Sequence, residues 1–164
     1  MRFYSFTNWM LRPIQQGIQP GHAAVELLLK YSSFSSDVRA HMVWDWAQNH
    51  KTFMCMNGGN SDGLRDLLKF FDDPRNPYPY ATFHEDAQSL DGIMTCISIV
   101  LPEEIYEAAA IERAVAPHSL FKFSEEDDSW VLNVPTAVGD WVWYRYSVYE
   151  RDLVLKLNEY SLAT

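Results

Sequence analysis

The sequence predicts an α/β fold, with helices packed on a mixed four-stranded sheet and a strand-rich C-terminal elaboration. Three observations carry this expectation. Stretches with period-two alternation and stretches with apolar residues three and four apart follow one another through the first two thirds of the chain, as expected of helices laid over a sheet. Between them lie short clusters of Gly, Pro, Ser and Asn, the residues that terminate regular structure. A composition of 48% hydrophobic and 21% charged residues is a globular balance, and 164 residues can bury a core without disulfide staples.

Phe3 to Trp9 alternate aromatic and polar residues and read as the first strand. The chain turns at Arg12 and Pro13. Ile14, Ile18, His22, Val25 and Leu29 then recur on one helical face up to Tyr31, interrupted by Pro20 and Gly21. Proline is tolerated in a first helical turn and removes a hydrogen bond in the interior, so the helix is expected to start or kink near Gln19. After the Ser32 to Ser36 break, Asp37 to Asn49 read as a second helix, with Val38, Met42 and Trp46 at four-residue steps and Ser36 or Asp37 as its cap. Lys51 to Met56 is a short strand. Asn57 to Asn60 is a Gly-containing turn that lacks the Lys and Ser/Thr of a phosphate-binding loop. Asp62 to Phe71 carries Leu64, Leu67, Leu68 and Phe71 on one stripe, and Pro74, Pro77 and Pro79 end it. Tyr80 to Glu85 and Met94 to Leu101 are strands around a polar loop, Asp86 to Ile93. Glu103 to Ala114 is a helix whose first-turn acids, Glu103 and Glu104, favour its dipole. Residues 1–115 are thus expected to form the α/β core. Residues 116–164, with strands at Trp130 to Val134 and Trp141 to Tyr149 and a closing helix at Glu150 to Tyr160, are an elaboration packed on it, since so short a segment is marginal alone.

The net charge of −9, with thirteen scattered lysines and arginines, provides no basic stripe of the kind that grips a phosphate backbone. No DNA partner is expected, and an RNA partner would have to meet a local patch. Glu125 to Asp128 read as a solvated acidic loop. Met1 is followed by Arg2 and a strand rather than by an apolar leader, and no segment reaches the ~20 apolar residues that span a bilayer. A cytoplasmic location without membrane partners is the expectation. Cys55 and Cys96, each in an apolar run, read as buried reduced thiols. His84 and Asp86 share a strand face, but two ligands are too few for a metal, and none is expected. Trp130, Trp141, Trp143, Tyr144, Tyr146 and Tyr149 are more aromatic surface than a short segment readily buries, which predicts a homodimer.

Four segments carry a family resemblance. Gln19-Pro20-Gly21-His22-Ala23-Ala24 is similar to the Gln-x-x-His-Ala segment that opens the first helix of type 2 peptidyl-tRNA hydrolases. Trp44 stands seven residues before Lys51, Asp86-Ala87 follows the third strand, and Gly92-x-x-Thr95 leads into the last strand, so order and spacing resemble that family over residues 2–112. The resemblance implies hydrolysis of the ester joining a peptide to the terminal ribose of tRNA, without metal or other cofactor. Gln19 would orient a substrate group, Asp86 a water or hydroxyl, and Thr95 would hold the active loop, with His22 one helical turn from Gln19. Gln15, Ser89 and Asn57 would contact the ligand. Two family lysines are replaced, by Gln15 and Cys55, and Gln88 stands where the family has glycine. Besides a structural or assembly role, two functions therefore stay open. One is a hydrolase of peptidyl-tRNA or a related nucleotide ester. The other is a catalytically altered module that binds a small nucleotide-like ligand or a protein; compact relatives of the fold in tailed bacteriophages attach to it a role in countering host defence.

Overall fold

The computed structural model describes residues 1–115, 120–135 and 141–163. They fall into two units, Met1–Glu103 together with Tyr160–Thr164, and Glu104–Glu159. The chain thus divides at residue 103, where the sequence reading divides it at 115.

The first unit contains β1 (Arg2–Thr7), α1 (Pro13–Lys30), α2 (Val38–Asp45), β2 (Phe53–Asn57), α3 (Ser61–Phe71), β3 (Tyr80–His84), a single turn α4 (Ala87–Leu90) and β4 (Met94–Leu101). The strands form one mixed sheet in the order β2-β1-β4-β3. β1 is parallel to β2 and antiparallel to β4, and β3 is antiparallel to β4. Both central strands are apolar and buried, β4 along its whole length. Ala23, Ala24 and Leu27 of α1 and Ala40 and Val43 of α2 form one core cluster with Phe3, Ala81, Cys96 and Val100 of the sheet. On the alternate residues of β1, Phe6 meets Phe71 of α3 at 5.9 Å and Tyr160 at 5.0 Å. The C-terminus returns to this unit as a bridge between Met56 and Leu162.

Helix α1 begins before Gln19, which leaves a kink as the remaining part of that expectation, and it buries a side other than the one expected. It starts at Pro13, where a missing N–H costs nothing, and runs on through Pro20. Its buried residues are Gln19, Pro20, Ala23, Ala24 and Leu27, while the face read from Ile14, Ile18, His22, Val25 and Leu29 is exposed. Small residues on the inner face let the helix lie close to the sheet. In α2, Asp37 is the cap, accepting from Arg39 N at 2.8 Å. The helix buries Ala40 and Val43 and passes into a π-helical turn, Trp46–His50, that ends on Lys51 in the left-handed region. Of the predicted Val38, Met42, Trp46 stripe only Trp46 is buried. The α3 stripe behaves as read, with Leu64, Leu67 and Phe71 buried.

The second unit holds most of α5 (Glu103–Val115), then β5 (Phe121–Ser124), β6 (Ser129–Pro135), β7 (Trp141–Tyr146) and α6 (Val148–Leu157). The three strands pair antiparallel in sequence order. β5, four residues long, is not legible in the sequence, and the acidic run is the exposed turn between it and β6. The last strand stops three residues before the predicted Tyr149 because Ser147 caps α6: its Oγ accepts from Glu150 N at 3.2 Å, and Glu150 Oε2 accepts from Ser147 N at 2.7 Å. Tyr146 and Tyr149 are buried and Trp130 lies under the Arg151 guanidinium at 4.4 Å, so much of the aromatic excess is used inside this unit; Trp143 is exposed. The side chain of Trp141 lies outside the described residues.

Both cysteines are free, Cys96 fully buried and Cys55 half-buried. Burial pushes the Cys96 thiol up to about 12, outweighing its contact with Thr7, so it stays protonated at neutral pH. Titration of the native protein with a thiol-reactive disulfide at pH 8 is expected to modify Cys55 alone, and Cys96 only after denaturation. Fast labelling of both in the native state would show that the core at β4 opens readily.

Candidate functional site

Because β3 and β2 both run parallel to β1 and β4 runs against them, the residues after β1, β2 and β3 meet the start of β4 at one end of the sheet. Crevices beyond strand ends are the usual ligand sites of open α/β sheets. Here Asn8 N donates to Thr95 O at 3.0 Å, Gly58 N to Thr7 O at 2.8 Å, and Glu85 N to Ile93 O at 3.0 Å, knitting the loops together. A Cβ on Gly58 would stand 2.6 Å from Leu64 Cδ2 and 2.9 Å from the Phe6 backbone carbon, so only glycine lets the Asn57 to Asn60 loop approach β1 this closely. Gly92, with φ at +69°, turns the chain back into β4.

The pairing register supplies the next step. Phe83 faces Cys96 while His84 faces Met94, leaving Thr95 as the extra residue of a β-bulge. A bulge re-aims a side chain, and the Thr95 hydroxyl donates to Gln19 Oε1 at 3.3 Å. That bond orients the Gln19 carboxamide, whose Nε2 donates to Glu85 Oε1 at 2.7 Å. Gln19 and Thr95 are buried and Glu85 is half-buried. A buried carboxamide is costly unless both its ends are satisfied, and here both are. The outcome is a short relay, Thr95 to Gln19 to Glu85, ending in a carboxylate at the sheet's end.

Of the residues singled out from the sequence, Gln19 and Thr95 are therefore in direct contact, and His22 stands three residues further along α1. Its imidazole lies flat on Phe83, with centroids 4.5 Å apart and planes 13° apart, and the residue is exposed. Asp86 is exposed, and its Oδ1 accepts from Gln88 N at 2.8 Å, capping the turn α4. Gln15 Oε1 accepts from Arg12 N at 3.2 Å and so helps to close the first turn of α1. Asn57 Oδ1 accepts from Gly59 N at 3.0 Å within the β2–α3 loop. Ser89 is in α4, with its side chain outside the described residues.

Glu85 and Phe83 are the members that the sequence reading misses. Simple alternation groups Asp86 with His84 and leaves Glu85 on the opposite face; the Thr95 bulge, which brings Glu85 within reach of Gln19, has no sequence signature. Among the described residues no group of three or more His, Cys, Asp or Glu side chains could hold a metal ion. No helix among them is long and apolar enough to cross a membrane. No protein-family model matches the chain, and no curated protein matches it.

Proposed function

We propose that this end of the first unit is a catalytic site for ester hydrolysis, with peptidyl-tRNA or a related nucleotide ester as the substrate class that the resemblance implies. The observation that supports it is the relay from Thr95 through Gln19 to Glu85. Hydrolysis needs a base to take a proton from the attacking water. Glu85 Oε2, which makes no hydrogen bond among the described residues, takes that proton, while the bond from Gln19 to Oε1 fixes the carboxylate. The new bond joins the water oxygen to the acyl carbon, the ester bond to the ribose breaks, and the proton passes from Glu85 to the departing hydroxyl. The outer face of the His22 ring, backed by Phe83, offers a stacking surface for a nucleobase.

One observation favours a second reading, a binding module without turnover. Among the described residues no lysine or arginine hydrogen-bonds to any member of the relay, and Gln15 and Cys55 occupy the positions of the family's lysines. Loss of one oxyanion donor typically slows an enzyme by about 10²- to 10³-fold, so slow hydrolysis is expected. The test is single-turnover release of the acyl group from an N-acetylated aminoacyl-tRNA with protein in excess. Release above the spontaneous rate is the expected result. Saturable binding of that tRNA without release would overturn hydrolysis and establish the module.

A further inference from the structure

Strand β3 is an edge of the sheet, paired on one side with β4. Val100 N donates to Pro79 O across that ladder at 3.0 Å, so in the alternation of antiparallel pairs Tyr80 and Thr82 turn their backbone groups away from β4. Residues of α1 and its C-cap occupy the outward groups of Tyr80: its N–H donates to the Tyr31 hydroxyl at 3.4 Å, and its carbonyl accepts from Lys30 Nζ at 2.9 Å. The next outward pair, the N–H and C=O of Thr82, has no partner among the described residues. Thr82 lines a cavity of about 530 Å³, walled by Glu26 and Leu29 of α1 and by Leu68 of α3. Helix α1 runs beside this edge against the direction of β3, with Gln19 bonded to Glu85 at one end and Lys30 to Tyr80 at the other. Residues 19–30 of a helix and 80–85 of a strand both cover about 16 Å, which sets Glu26 level with Thr82, each about 10 Å from the Gln19–Glu85 contact. Glu26 is exposed and forms no ion pair among the described residues.

We propose that this edge binds the peptide arm of the ester substrate as an added strand parallel to β3, an inference that rests on reading the Glu85 end as the hydrolytic site. An unpaired N–H and C=O on a strand edge are complementary to an extended peptide backbone, and peptides are widely recognised by such strand addition. The direction follows from the chemistry. The ester is at the peptide's C-terminus and must lie at Glu85, beyond the C-terminal end of β3, so the arm runs back along β3 and passes Thr82 about three residues earlier. There Thr82 N–H donates to one peptide carbonyl and Thr82 O accepts from the peptide N–H two residues on. Ala81 packs in the core under α1 and Phe83 stacks on His22, so Thr82 faces the other way, as does Tyr80, whose ring meets Phe71 of α3 at 6.2 Å. A peptide side chain beside Thr82 therefore faces Leu68 and favours an apolar group, while its two neighbours face α1, where the Glu26 carboxylate favours a basic one. Lys30, seated on Tyr80 O, closes the edge beyond that point.

The experiment pairs single-turnover release, with protein in excess but below saturation, with calorimetric binding of a peptide that carries no ester. N-acetyl-Lys-Leu-Lys-Ala-Ala-tRNA should be cleaved about tenfold faster than N-acetyl-Ala-tRNA, the worth of the added backbone bonds, and faster than N-acetyl-Glu-Leu-Glu-Ala-Ala-tRNA. Thr82→Pro removes an outward N–H that the β3–β4 ladder does not use, and edge strands tolerate proline at such a position. It should abolish the advantage of the long arm and leave N-acetyl-Ala-tRNA cleavage unchanged. Glu26→Lys, a surface change that cannot disturb the ladder, should reverse the preference between the Lys and Glu arms. N-acetyl-Lys-Leu-Lys-Ala-Ala-amide should bind the parent and bind each variant about tenfold more weakly. Binding that follows this pattern without cleavage of any tRNA would sustain the groove and overturn the hydrolytic reading. Cleavage of N-acetyl-Ala-tRNA with no gain from the longer arms and no binding of the amide would overturn the groove and leave the hydrolytic site standing. A long-arm advantage that both variants retain also overturns the groove.

Discussion

Replacing Glu85 by glutamine is expected to lower ester hydrolysis by about 10²- to 10⁴-fold, the range lost with general acid–base assistance. Glutamine keeps the size of the side chain and an oxygen that can accept from Gln19 Nε2, so the variant should fold as the parent does. Substrate affinity should change little, because the proton is taken only as the bond forms; the loss belongs in kcat and leaves KM near its parent value. Thr95→Val removes the hydroxyl that orients the Gln19 carboxamide, and a smaller fall in kcat is expected, since the base remains but its support loosens. Asp86→Asn is the contrasting control. Asparagine Oδ1 can still accept from Gln88 N, so activity should stay within a few-fold of the parent. A Glu85→Gln variant as active as the parent would remove Glu85 from the reaction. A large loss in Asp86→Asn alone would return the base to the residue that the family resemblance singles out.

How far the sequence is legible depends on the range of the interaction that decides each feature. β4 spans Met94–Leu101 as read, because an apolar run entered by a glycine turn is a local signal. The α3 stripe is equally local, with leucines and a phenylalanine on one face and charges on the other. In α1 the period is correct and the side is wrong. Periodicity picks out one face, Ile14 to Leu29, because its side chains are the bulkier, and here that set points outward while Ala23, Ala24 and Leu27 meet the sheet. Gln19 is buried on that inner face with both ends of its carboxamide bonded. Its partners, Glu85 and Thr95, stand 66 and 76 residues further along the chain. The resemblance gathers Gln19, Asp86 and Thr95 at one end of the sheet, but the bond between Gln19 and Glu85 goes with one bulged residue, and a strand pattern read by alternation cannot contain it.

The largest expected loss of stability follows Phe3→Ala, at about 3–5 kcal/mol, the range for removing a buried aromatic ring. Phe3 is fully buried in the central strand, stacked on Trp46 at 4.8 Å and 20° between planes, with Phe53 also at 4.8 Å. Removing the ring takes away its burial energy and leaves a hole bounded by a sheet on one side and a helix on the other. Neither can collapse into that space without breaking backbone hydrogen bonds, so most of the cavity should persist. Phe53 provides the internal comparison. It touches the same cluster from an edge strand and is 45% exposed, so Phe53→Ala should cost less than half as much. Urea denaturation of the parent and both variants, with unchanged m values, would give the two figures on one scale. A Phe3→Ala loss no greater than that of Phe53→Ala would mean that Trp46 moves to fill the gap, and the π-helical turn that carries Trp46 would then be the adaptable part of this core. Because β1 leads directly into Asn8 and its bond to Thr95, a rigid cavity at Phe3 should lower stability while leaving the relay and its activity intact below the unfolding transition.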